Sequence, residues 1–180
     1  MAIQPAESME TNNGSLTTLL RATPALLSAA AVSMTLCEDV FFRPFGKPQA
    51  ALRPQANRLL RAHVAAFATR GMSMTATFYL GDIAVGTANL MRLRGSDGLF
   101  APAPAFYLAG AVFSAMHFAF APRDIALMNV ITDESKVDEA KEKDNCTAMA
   151  GWIQMNVTRG LLADFPALIC NLVGLTLAIA

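Results

Sequence analysis

The 180-residue chain is 54% hydrophobic and only 16% charged, too few polar groups to cover an ordinary water-soluble globule of this size. Its net charge is zero and no basic stripe appears, so the electrostatic footprint of a nucleic-acid binder is missing. Cys37, Cys146 and Cys170 are far apart and form no CxxC pair, which argues against a disulfide framework or a zinc site.

Residues 1–14 are polar and carry Glu7 and Glu10 where a secretory signal would carry Lys or Arg, so a disordered tail is expected ahead of a retained signal-anchor helix. The first apolar block, about 15–37, is long enough to cross a hydrocarbon core roughly 30 Å thick. Arg21 lies in its opening turns, from where it can snorkel to the headgroups. The next stretch, EDVFFRPFGKPQAALRPQANRLLR, holds three prolines and five basic residues and reads as a loop ending in a short basic helix. Glu38 and Asp39 read there as a solvated helix end.

The second block, about 63–91, is interrupted by Arg70 and Asp82, which predicts a helix that begins outside the bilayer and crosses it from about Gly71 to Met91. RLRGSDGLFAPAP supplies Gly and Pro breakers. The third block, about 103–121, is aromatic and small-residue rich, carries His117 near its end, and is expected to stop at Pro122. The charged run DESKVDEAKEKDN reads as a solvated helical hairpin or mobile loop. The last block, about 152–180, starts amphipathically and becomes apolar. The expected fold is all-α: an integral membrane four-helix bundle over residues 15–180.

Orientation follows from counting basic residues by side. The first and third loops hold Arg43, Lys47, Arg53, Arg58, Arg61, Arg123, Lys136, Lys141 and Lys143, against Arg21, Arg92 and Arg94 on the opposite side. The positive-inside rule then puts both termini in the lumen or exterior. Asn13 is a glycosylation acceptor on that side, whereas the sequons at Asn145 and Asn156 would face the cytosol or the membrane and stay unmodified.

An ionisable side chain inside a bilayer is costly and tends to be kept for a use. Here these are Asp82, His117, Arg159 and Asp164. Asn156 lies three residues before Arg159, on the same helical face, with Trp152 flanking it. Asp164 follows Arg159 by five residues, about 140° round a helix of 3.6 residues per turn, so the two need not point the same way. Antiparallel packing brings His117 and Arg159 toward the cytosolic leaflet, with Asp82 deeper. His117 can then act as base toward an acidic carbon or phenol, and Arg159 can hold the anion. The bland readings are interhelical glue for Asp82, a packing role for His117 and an interfacial anchor for Arg159. Met72, Met74, Met91, Met116 and Met155 read as adaptable packing, since no MxxM array repeats. There is no P-loop, dinucleotide fingerprint, HExxH or ExxH, so no bound metal or organic cofactor is expected.

The order of parts resembles the anthrone oxygenase-like small membrane proteins of fungal polyketide gene clusters. The likeness rests on an opening helix with small residues and Pro24, the basic start RLLRAHVAAFATR, the run AFYLAGAVFSAMHFAFAP, and Trp152, Asn156 and Arg159 in GWIQMNVTRGLLADFPALICNLVGL. The segment APRDIALMNVITDES departs from the Pro-Thr-Asn-like turn of that family. The resemblance implies cofactor-independent oxidation of an anthrone to an anthraquinone by molecular oxygen in secondary-metabolite biosynthesis. It gives His117 as base, Arg159 and Asn156 as anion binders, Trp152 as a substrate contact and Asp82 as orienter. The implied partners are a lipophilic small molecule, the bilayer and O2, with the endoplasmic reticulum as compartment. The alternatives are a membrane cyclase or isomerase acting without O2, and a non-catalytic membrane scaffold.

Overall fold

A computed structural model describes residues 6–95, 98, 101–133 and 144–180. Helix α1 (Ala6–Gly46) leads through a 3₁₀ turn (Ala50–Leu52) into α2 (Arg53–Leu93). Helix α3 (Pro102–His117) continues through a 3₁₀ turn (Phe118–Phe120) into α4 (Ala121–Thr132). Helix α5 (Asn145–Arg159) continues through a π turn (Gly160–Asp164) into α6 (Phe165–Ile179). The result is four helical columns with no strand among the described residues. Three of them, over 14–46, 102–132 and 145–179, are long and apolar enough to cross a membrane. Helix α2 is equally long but less apolar, carrying Arg70 and Asp82.

The columns close into a ring. Helix α1 packs on α2, α5 and α6; α2 packs on α3; α3 packs on α6, and α4 on α5. On α1 the inner face is Ala25, Ser28, Val32, Thr35, Glu38 and Phe42, at the three- and four-residue spacing of a bundle seam. Leu26, Leu36, Val40 and Phe41 on its other side are exposed, as are Met72, Leu80, Met91, Leu161 and Ile169 elsewhere, an apolar exterior that suits lipid. Of the five methionines read as adaptable packing only Met155 joins the core, where Met149 also lies, while Met72, Met74, Met91 and Met116 face outward.

Several boundaries differ from those the sequence suggested. Helix α1 already begins at Ala6, inside the stretch read as a tail, and continues past Cys37 through Pro44 to Gly46. The expected first loop is thus reduced to a few residues before the 3₁₀ turn, because Phe42 in the core and Phe45 packed against it carry the helix through Pro44, and it stops at Gly46 ahead of Pro48. Helix α2 accordingly starts ten residues earlier than the block 63–91, with Pro54 in its first turn, where no N–H is needed. Pro122 does not stop the third column. The 3₁₀ turn before it places Pro122 in the opening turn of α4, a position that again needs no N–H donor. Of the charged run 133–145 expected as a hairpin or loop, residues 134–143, with Lys136, Lys141 and Lys143, lie outside the described residues.

The interior is layered along the bundle axis. At one end Asp144 caps α5, and its carboxylate takes bonds from Arg53 Nε at 2.7 Å, Arg53 Nη2 at 2.9 Å and Asn57 Nδ2 at 3.1 Å. Next comes an apolar plug that includes Phe42, Leu60, Val64, Ile131, Met149 and Trp152. Two polar layers follow. At the far end Arg21 Nη1 donates to the carbonyl of Ala178 at 2.8 Å and the Tyr107 hydroxyl to the carbonyl of Arg21 at 2.8 Å.

Candidate active site

The first polar layer is built around Arg159, the last residue of α5, which is 5% exposed. Its Nη2 donates to Asn156 Oδ1 and reaches Glu38 Oε2 at 3.4 Å; Nη1 reaches Asp124 Oδ2 at 3.3 Å; Nε lies 3.6 Å from Asp164 Oδ2. Asn156 Nδ2 donates in turn to the carbonyl of Thr35 at 3.1 Å. Asp164 is the second hub. Its Oδ2 accepts from Thr35 Oγ1 at 2.9 Å, and its Oδ1 lies 3.1 Å from His117 Nδ1. The Tyr79 ring lies against the imidazole, with centroids 3.6 Å apart, and its hydroxyl points to Asp164 and Thr35.

The π turn explains why Arg159 and Asp164 meet. Five residues in a regular α-helix would turn them well apart, but the wide turn Gly160–Asp164 takes up the extra residue and brings Asp164 back under Arg159. Pro166 gives the local reason: it has no N–H for the carbonyl of Leu162, and its ring needs room there. Gly160 at the start of the turn lies against Thr35, a side chain of the same layer.

Asp82 stands in a second layer. Seven residues separate Ser28 from Thr35 on α1, placing this layer about 10 Å further along the bundle. Asp82 accepts from Ser114 Oγ, and from Asn171 Nδ2 at 2.9 and 3.1 Å, while Asn171 Nδ2 also lies 3.3 Å from Ser28 Oγ. These four side chains come from α1, α2, α3 and α6. A Cβ at Gly110 would collide with Asn171, so glycine there is what lets α3 approach α6. No hydrogen bond or ion pair joins Asp82 to His117 or Arg159 among the described residues. Its link to the first layer is Ser114, one turn before His117 on α3.

The structure therefore brings His117, Arg159 and Asn156 together, and places Asp82 apart from them. Trp152 lies in the apolar plug beside the site, edge-on to Phe42 at 5.5 Å, and its buried indole N–H has no hydrogen-bond partner among the described residues. His63 and Arg70 are exposed, as expected of residues outside the core. Glu38 is a correction: it is 7% exposed and faces Arg159, because α1 continues two turns beyond the expected helix end. Sequence reading also missed Asp124, Tyr79, Thr35, Ser114 and Asn171. Asp124 sits seven residues, two turns, after His117 in the same column, a spacing visible once the helix is carried through Pro122. The sequons at Asn145 and Asn156 are closed by packing: both side chains are buried, and their amides donate to the carbonyls of Asn57 and Thr35.

Chemically, a carboxylate that holds His117 by Nδ1 directs the Nε2 lone pair outward as a base, and Nε2 has no partner among the described residues. Arg159 and Asn156 lie beside it as fixed donors, although three carboxylates already share the guanidinium.

No family model matches the chain, and no solved structure does. Curated fungal relatives do. The chain is 30% identical over 154 residues to the epoxidase pydX of an Acremonium species, an alignment that covers 84% of this chain and 89% of that protein. It is 29% identical over 153 residues to the probable epoxidase scpX of Mollisia scopiformis and to the epoxidase gkaX of Penicillium citrinum, covering 84% of the chain in each case and 91% and 89% of the relatives. With identity at this level running along nearly its whole length, the chain belongs to the family of the epoxidase pydX.

Proposed function

We propose that the protein is a membrane-embedded oxygenase of fungal secondary metabolism that uses O2 on a lipophilic, polyketide-type intermediate. The observation that carries this reading is the His117–Asp164 pair set beside Arg159 and Asn156 inside the bundle, in a chain whose relatives are named epoxidases. His117 Nε2 takes a proton from an acidified C–H or phenol, and the N–H donors of Arg159 and Asn156 stabilise the delocalised anion. Such an anion is electron-rich enough to hand its electrons to O2 directly, so no metal or organic cofactor is required. Asp164 and Tyr79 position the imidazole, and Asp82 positions α3 through Ser114. Trp152 contacts the substrate from the plug side. The compartment in this reading is the endoplasmic reticulum, with both termini in the lumen.

The finer form, suggested by the resemblance to anthrone oxygenase-like proteins, is oxidation of an activated methylene to a carbonyl. A second reading, favoured by the relatives' names, is epoxidation of an alkene. The electron count separates them. Converting a methylene to a carbonyl with O2 releases water and needs no outside electrons, whereas an epoxide formed with loss of water needs an electron pair from a reductant.

The test uses microsomes from an expressing host and two probes, anthrone and an alkene-bearing 1,3-dicarbonyl. Gain of one oxygen with loss of two hydrogens, without added reductant, supports methylene oxidation. Gain of one oxygen alone, dependent on an added electron donor, supports epoxidation. A product of unchanged mass would point to a cyclase or isomerase, and no consumption of either probe or of O2 would overturn the oxygenase reading.

A further inference from the structure

The Arg159 layer holds more acid than base. Glu38, Asp124 and Asp164 all turn toward one guanidinium, with one imidazole nearby. Asp164 is well matched, taking bonds on both oxygens and lying next to Arg159 Nε. Asp124 accepts from Arg159 on Oδ2, while its Oδ1 has no hydrogen-bond partner among the described residues. Glu38, the more deeply buried of the two, is also poorly matched. Among the described residues its one hydrogen bond is from Arg159 Nη2 at 3.4 Å, a nitrogen that already donates to Asn156, yet the residue is 7% exposed. An unmatched buried carboxylate is costly, and the layer closes its charge only by holding exchangeable protons.

The chemistry proposed for the site needs such a proton. Resting on the oxygenase reading, the sequence runs as follows for an acidic methylene. His117 removes the first C–H proton, the carbanion adds to O2, and the proton returns to give a C–OOH hydroperoxide. His117 then removes the second C–H proton while C=O forms and the O–O bond breaks. The departing oxygen leaves as hydroxide unless an acid meets it. Methylene and O2 thus become carbonyl and water, with no outside electrons.

We propose that Glu38 is the acid of this site, donating its proton to the oxygen that departs when the O–O bond breaks and regaining it from His117. It stands at the same guanidinium as the Asp164 that holds His117, so base and acid are anchored to one rigid group. As a residue that touches the reacting oxygen, Glu38 would be catalytic, and neither its position after the first apolar block nor the family resemblance had marked it.

The experiment compares the parent protein, Glu38→Gln and Glu38→Asp in detergent, with anthrone as probe. Anaerobic exchange of the methylene hydrogens into deuterated water reads the base, and aerobic carbonyl formation together with released peroxide reads the acid. Glu38→Gln is expected to exchange at close to the parent rate while carbonyl formation falls by about 10²-fold and peroxide appears, in line with loss of a general acid. Glu38→Asp, which keeps an acid, should recover part of the carbonyl yield and suppress peroxide. Unchanged carbonyl formation in Glu38→Gln, or loss of exchange and oxidation together in both variants, would overturn the proposal, the second result marking Glu38 as structural. A parent protein that neither exchanges nor oxidises the probe would strike the oxygenase reading instead.

Discussion

His117 and Arg159 differ in what their loss should reveal. Replacing the imidazole leaves Asp164 with Thr35 and Arg159, so the fold should survive; His117→Gln is expected to lower product formation by about 10²–10⁴-fold at little change in melting temperature. Arg159 is different because three carboxylates depend on it. Arg159→Ala strands them and should destabilise the protein by about 3–5 kcal/mol, whereas Arg159→Lys keeps the charge but loses the planar fork. Thermal melts in detergent check this: an Arg159→Ala protein as stable as its parent would show that the acids do not need the guanidinium. Loss of activity in Arg159→Ala alone is therefore no measure of anion binding, and Arg159→Lys is the informative variant.

Helix α5 leans on one side chain at its start. Asp144 accepts the backbone N–H of Thr147 at 2.8 Å as its N-cap and ties α5 to the start of α2 through Arg53 and Asn57. Burial alone would raise its carboxyl, but the bonds from Arg53, Thr147 and Asn57 outweigh that and hold it well below the usual carboxylate range. A carboxyl whose folded-state value is depressed stabilises the fold above its unfolded value and loses that contribution as pH falls. The parent should therefore melt progressively earlier below about pH 4, the unfolded Asp value, while Asp144→Asn should be less stable at neutral pH and show a weaker acid dependence. Equal acid dependence in both proteins would remove Asp144 from this role. The same scale holds the clearest element-level surprise, the π turn, since no count of residues per turn would have placed Asp164 against His117.

For the molecule as a whole, the bond from Arg21 to Ala178 sets the start of the first apolar span beside the end of the last one. That contact predicts both ends of the described bundle on one side of the membrane and a fourth crossing by α2, the least apolar column. Epitope tags at the two ends, probed by protease in sealed microsomes, should be protected or cleaved together; opposite outcomes would mean three crossings. Protection of both would place them in the lumen, as the distribution of basic residues suggests.

The all-α class and the four columns, though not their lengths, were readable from composition and blocks of hydropathy, because lipid imposes a minimum length and a polarity on any spanning helix. His117, Arg159 and Asn156 were readable as candidates because ionisable and amide groups are conspicuous in an apolar block. What only the tertiary structure decided was which acids meet them. Glu38 lies just past the helix end expected at Cys37 and Asp124 just past Pro122, and their facing Arg159 depends on the helices continuing through both points. Asp164 depends on a turn one residue wider than the α-helix, and Asp82 on four columns packing closely enough, at Gly110, to seal it with Asn171. Hydropathy reports how each residue partitions between water and lipid, but helix continuation and phase are cooperative properties of the packed bundle, and they determine which side chains share a layer.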